Sequence, residues 1–208
     1  MKNIVIIFLS MLIIACSSKQ ANKNIFYLDG YDKPFTGTFT QHFPNGEISI
    51  QENYLDGILN GEKIKYYENG RVMTKGNYLD GMKEGNWITY YPNGSLNYNE
   101  NFKNGLLDGE WKALHSNGKI LKKGHYSLGE RVGEWQLFYQ NGTLNIESNY
   151  LDGELDGPYQ FYNSKGQIEI EGNFKNGMRD GEWQFFNSSG KVIKHEFYQN
   201  GILKRAVK

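Results

Sequence analysis

The sequence predicts an all-β protein, an extended antiparallel meander of repeated β-hairpins. Three observations predict it. First, 21 of the 25 glycines fall on three registers of one 24-residue period. These are Gly37, Gly61, Gly85, Gly109, Gly133, Gly157 and Gly181, then a register nine residues on from Gly46 to Gly190, then one eleven beyond from Gly57 to Gly201. Seven units run from Gly37 to Lys204 without an insertion, and a fixed period of this size marks a repeat array. Second, Asn-Gly and Asp-Gly turn signals recur in step with the period, between runs rich in aromatic and β-branched residues. Third, no stretch carries the i, i+3, i+4, i+7 apolar stripe of a helix.

The N-terminus stands outside this pattern. Lys2 supplies a positive start, and Ile4 to Ile14 is apolar except for Ser10. At eleven residues it is too short to span a bilayer comfortably. Ile13-Ile14-Ala15-Cys16 resembles the lipobox of a bacterial lipoprotein signal peptide. By that resemblance residues 1–15 are a cleaved signal peptide and Cys16 becomes the acylated N-terminus. The competing reading is an ordinary secretory signal with a chance cysteine. Two or three acyl chains at ~0.8 kcal/mol per buried CH₂ anchor a protein stably. Residues 16–32 then form the lipidated cysteine and its tether. The expected location is the bacterial cell envelope, and Ser17-Ser18 after the cysteine favours the outer membrane where a cell has one. Cys16 is the single cysteine, so no disulfide framework or cysteine metal site is expected.

Residues 33–204 hold the seven 24-residue repeats. In the unit from Gly133, Glu134 to Tyr139 reads as a first strand and Thr143 to Leu151 as a second. Asn141-Gly142 between them predicts a type I′ turn. Asp152-Gly153 opens a second turn region expected to close at Gly157. The place of Leu144 is always aliphatic (Ile48, Val72, Leu96, Ile120, Ile168 and Val192 elsewhere), and that of Tyr150 is always aromatic. Period-two alternation puts both on one face. Fourteen strands at ~4.8 Å each would extend roughly 65 Å. Ile25 to Lys33 and the basic tail 205–208 are placed to blunt the two open edges. A slower rhythm overlies the first. Gly76, Gly124 and Gly172 recur every 48 residues, and Glu52, Glu100, Ser148 and Glu196 hold the alternate places. Duplication of a two-repeat unit and alternate packing of successive hairpins both account for it.

Lys83-Glu84-Gly85-Asn86-Trp87-Ile88-Thr89-Tyr90-Tyr91-Pro92-Asn93-Gly94-Ser95-Leu96 is a clear copy of the recurring motif. It resembles the bacterial variant of the MORN (membrane occupation and recognition nexus) repeat, over Gly37 to Lys204. The resemblance implies a single-layer array of β-hairpins that scaffolds or contacts a protein partner, with membrane association in some members. It also implies, as an alternative, an antitoxin-like inhibitor of a toxin or effector, although the leader points to export. A shorter pattern, Trp-x-x-Tyr-Tyr-x-Asn-Gly, resembles choline-binding repeats and implies a cell-wall glycan or choline binder as a further alternative.

Lys+Arg and Asp+Glu balance at 23 each, with no polybasic run, which argues against nucleic acid as a partner. His42, His115, His125 and His195 occupy four different repeat positions, so no shared metal centre is expected. HExxH, GxSxG and P-loop motifs are missing. Acidic residues such as Asp56, Asp80 and Asp152 sit beside turn glycines and read as turn chemistry rather than a calcium ladder. No cofactor, metal or catalytic residue is assigned, and the chain is expected not to be an enzyme. One row remains. Trp87, Trp111, Trp135, Tyr159 and Trp183 share a repeat position. They are either core packing or an exposed binding stripe for a partner.

Overall fold

A computed structural model describes residues 25–208. These form one open antiparallel sheet of 16 strands with no helix. The strands are β1 (Gly37–His42), β2 (Ile48–Leu55), β3 (Ile58–Tyr66), β4 (Val72–Leu79), β5 (Met82–Tyr90), β6 (Leu96–Lys103), β7 (Leu106–Leu107) and β8 (Gly109–Leu114). They continue with β9 (Ile120–Ser127), β10 (Glu130–Phe138), β11 (Leu144–Leu151), β12 (Glu154–Tyr162), β13 (Ile168–Lys175), β14 (Met178–Phe186), β15 (Val192–Gln199) and β16 (Ile202–Val207). Strand order follows chain order, and the short β7 shares β6 with β8. Sequential neighbours pair because each connection is only a turn, so the all-β meander expected from the glycine period is what forms.

The two kinds of turn exchange the roles assigned from sequence. Asp152 (φ 48°) and Gly153 (φ 83°) both stand in the left-handed region, so Asp-Gly makes the tight two-residue turn. The next strand therefore starts at Glu154 and runs through Gly157 instead of starting after it. At Asn141-Gly142 only the glycine has positive φ. Gly142 N–H donates to the Tyr139 carbonyl (2.8 Å) and Tyr139 N–H to that of Thr143 (2.9 Å), a type I turn with a glycine bulge. Asn141 keeps an ordinary backbone, and its side chain is used twice. Its Oδ1 accepts from Thr143 N–H (2.9 Å), and its Nδ2 donates to the Ser164 carbonyl of the next loop (3.1 Å). Tyr67, Tyr91 and Tyr139 likewise donate to carbonyls of the following unit at 2.8 Å.

A single sheet has no second layer, so its core must form from side chains lying flat on the sheet itself. Trp87, Trp135 and Trp183 do this and are buried. Each indole lies on a strand glycine. A Cβ on Gly76, Gly124 or Gly172 would stand 2.2–2.3 Å from the ring of Trp87, Trp135 or Trp183. Aromatic edges close the sides: Tyr126 and Tyr150 meet Trp135 edge-on at 5.1 and 6.2 Å. These contacts show that successive hairpins pack differently, in step with the 48-residue rhythm.

The alternation is a shift of the bulge. In the glycine type of hairpin, Lys123 faces Gln136 and His125 faces Val132, so Gly124 alone opposes three residues. In the other type, Ser148 faces Tyr159 and Tyr150 faces Leu155, so the bulge opposes Asn149, one residue later. The bulge glycines differ accordingly: φ is 63–72° at Gly85, Gly133 and Gly181 but 103–107° at Gly61, Gly109 and Gly157.

The two ends differ too. Phe26 stacks on Tyr54 at 4.7 Å, and its N–H donates to Gly57 (2.8 Å), so the segment from Ile25 to Phe35 caps the first unit. The tail is not a loose extension: it belongs to β16, which pairs with β15 and is exposed along its length.

Candidate interaction surface

Period-two alternation gives the sheet an aromatic face and a polar face. On the aromatic face the five residues proposed as a binding stripe do not form one. Trp87, Trp135 and Trp183 are buried, Trp135 with only 2% of its surface exposed, and Trp111 and Tyr159 are half-buried. Trp111 packs on Trp135 and Tyr159 on Trp183, both at 5.7 Å. The physical reason is that a one-layer sheet has no second layer to pack on, so its largest apolar side chains bury one another on its own face.

The chain's own cations cover what the neighbours leave. The Lys83 ammonium stands 4.3 Å from the Trp87 ring and the Arg179 guanidinium 4.2 Å from that of Trp183. Arg131 lies 5.9 Å from Trp135 and 4.0 Å from Tyr150. Burial pushes the Lys83 and Lys122 ammonium pKa values down. A choline headgroup would compete with these cations for the faces of Trp87 and Trp183. The sequence carries the signal for these caps: Lys83, Arg131 and Arg179 alternate every 24 residues with Leu59, Leu107 and Leu155.

The alternate hairpins replace the glycine seat with a polar one. Glu52 is buried, 2.5 Å from Lys63 and 2.8 Å from the Tyr54 hydroxyl. Burial pushes the Glu52 carboxyl up, but Lys63 and Tyr54 outweigh it and hold the pKa below the ordinary carboxylate value. Glu100 accepts from the Trp111 indole N–H (3.0 Å), and Glu196 lies 2.5 Å from Lys194.

The polar face carries the accessible chemistry. Two hollows of about 330 Å³ open beside Gly124 and Gly172. The first is lined by Glu110, Lys112, Lys123, His125, Glu134 and Gln136. The second is lined by the equivalent residues Gln160, Glu171, Asn173, Glu182 and Gln184. Gln136 donates to both Glu134 (2.6 Å) and Glu147 (2.8 Å). Partial burial, then the Glu147 carboxylate, raises the pKa of Glu134. The amide row differs by hairpin type. Asn53 and Asn101 bridge the bulge, donating to the carbonyls of Glu62 (2.7 Å) and Glu110 (2.9 Å). In the glycine hairpins the Trp87 and Trp183 indoles do that work, donating to the carbonyls of Asn77 and Asn173 at 3.1 Å.

The histidines stay apart. His195 meets Glu182 at 2.6 Å, His125 lines a hollow, and His115 holds a tyrosine place of the ladder with its Nε2 unbonded. Among the described residues no group of three His, Cys, Asp or Glu is arranged to hold a metal ion. Cys16 lies outside the described residues.

A family model described as MORN repeat variant matches six segments: 59–80, 83–104, 107–127, 131–152, 155–176 and 179–200. No curated protein matches the chain. Among solved structures, the Photorhabdus luminescens Tc holotoxin pore matches at 12% identity and a TM-score of 0.21, over 79% of this chain and 11% of that one. A superposition that loose carries no statement about function.

Proposed function

This chain belongs to the MORN repeat variant family, and on that premise we propose that it is a lipid-anchored, non-enzymatic interaction scaffold of the bacterial envelope. Its family's repeats are in general protein- and membrane-interaction modules. One observation carries the scaffold reading. The aromatic face is consumed by internal packing, whereas the polar face opens two hollows at the same repeat place, 48 residues apart, that share a Glu and a Gln. A repeating, accessible surface suits a protein partner that binds across several units. Anchoring rests on Ile13 to Cys16, and the Ser17-Ser18 pair favours the outer membrane where there is one. No feature of the described residues favours an antitoxin-like role over this one.

Two measurements test the proposal. Mass spectrometry of the protein taken from membranes is expected to find Cys16 acylated; an unmodified cysteine overturns the anchor. Photo-crosslinkers at Gln136 and Gln184 on the polar face are expected to trap a protein in living cells, while one at Asn69 on the Asn-Gly rim does not. Equal yields from both places overturn the assignment of the face. Turnover abolished by changing one residue cluster would overturn the non-enzymatic reading.

A further inference from the structure

One row of residues crosses the whole sheet on the polar face, each facing the next across neighbouring strands. Its two halves differ in chemistry. Lys75, Ile88, Asn99, Lys112 and Lys123 follow one another in the first half. Gln136, Glu147, Gln160, Glu171 and Gln184 follow in the second. Lys123 faces Gln136 where the halves meet. From Thr40 to Lys123 the row holds no carboxylate, and from Gln136 to Val207 it holds no lysine. Among the described residues, Lys75 and Lys123 form no ion pair with a carboxylate, and Glu147 and Glu171 none with a cation. Lys112 meets only the exposed Glu110, at 2.9 Å.

A row with lysines in one half and carboxylates in the other is its own complement once it is reversed. Two copies can lay their polar faces together about a twofold axis that runs either across the strands or along them. An axis across the strands leaves the row unreversed, so lysine stands over lysine and carboxylate over carboxylate. An axis along the strands reverses it. Set between β9 and β10, that axis exchanges β8 with β11 and brings Lys112 of each copy opposite Glu147 of the other, with Lys123 opposite Gln136. The neighbouring row obeys the same axis. His125 on β9 comes opposite Glu134 on β10, and Glu110 on β8 opposite Asn149 on β11. Like charges meet nowhere in this set.

We infer that the polar face docks on the polar face of a second copy of this chain, about an axis along the strands between β9 and β10. This rests on the reading of that face as the interaction surface. Packed sheets stand about 10 Å apart, a gap that a lysine and a glutamate side chain close together. The twist of each sheet confines close contact to the middle strands. The interface is therefore small, and the pairing is weak and reversible.

The test uses the full chain in mild detergent at low salt, with sedimentation equilibrium as the readout. The parent protein is expected to dimerise as its concentration rises. Lys112→Glu and Glu147→Lys each set like charges against one another across the axis, and each alone is expected to weaken the dimer about tenfold or more. Mixing the two variants restores both pairs at once and is expected to recover the parental association, which a folding defect in either variant would not allow. A photo-crosslinker at Gln136 is expected to join two copies through the peptide that carries Lys123. A chain that stays monomeric, variants that do not recover on mixing, or equal crosslinking of two copies from Asn69 on the Asn-Gly rim each overturn the inference. If the crosslinker at Gln136 traps a different protein in cells, the inference falls and the polar face stands as the interaction surface. If it traps nothing, both fall.

Discussion

The hairpin of β9 and β10 and the hairpin of β11 and β12 follow one another and share one repeat, yet they are built differently. In the first, Gly124 provides a bare seat for the Trp135 ring, and the bulge faces the glycine. In the second, Ser148 keeps a side chain, Tyr159 stays opposite it, and the bulge moves to Asn149. One atom decides the difference. Where a Cβ stands on the strand, the ring of the next strand cannot lie over it, and the extra residue must be absorbed elsewhere. The lesson is that the structural period is 48 residues, and that Trp87, Trp135 and Trp183 are buried foundation.

The comparison breaks most visibly if the seat is filled. Gly124→Ser is expected to expel Trp135 and cost about 3–5 kcal/mol, the scale of deleting a buried tryptophan, read as a fall in the urea midpoint. The reverse exchange, Ser148→Gly, is expected to cost only about 0.5–1 kcal/mol, the backbone entropy of a strand glycine. Similar losses from the two variants would refute the alternation.

The polar seat has a signature of its own. Glu52→Gln leaves the largely buried Lys63 without its partner and is expected to cost about 1–3 kcal/mol at neutral pH. Because the Glu52 pKa is lowered on folding, its contribution is fully present above the ordinary value of 4.5 and is lost as pH falls through the folded value. The gap between variant and parent should therefore close in acid, and a gap that stays constant with pH would remove the ion pair as its cause.

The smallest effect concerns the hollow on the polar face. The pKa of Glu134 is raised, partly by Glu147, so the folded state holds a proton more tightly than the unfolded one and loses stability as pH rises through that value. Glu147→Gln is expected to raise the melting temperature slightly at neutral pH, with the gain vanishing in acid. A loss of stability at neutral pH would show that Gln136 needs both carboxylates.

Much of this was legible in the chain. The aliphatic register of Leu144 and the aromatic register of Tyr150 fixed the core face, because strand side chains alternate with an invariant period of two. The turn types were exchanged because Asn-Gly suits two turns. The same bulged turn forms at Lys165-Gly166 and Ser189-Gly190, so the loop length and its glycine set it, and the bond from Asn141 to the next loop only adds to it. The row of Trp87 to Trp183 stayed ambiguous because exposure depends on the residue opposite, eleven positions away along the chain.

By itself the sequence determined the strand order and the face each residue takes, since those follow from short-range turn chemistry and alternation. It also contained the 48-residue rhythm without its meaning. Only the tertiary structure decided that this rhythm is a one-residue shift of the bulge, and that Lys83, Arg131 and Arg179 are the lids over the rings. Those outcomes depend on contacts between neighbouring strands, where a ring either finds a bare backbone to lie on or does not.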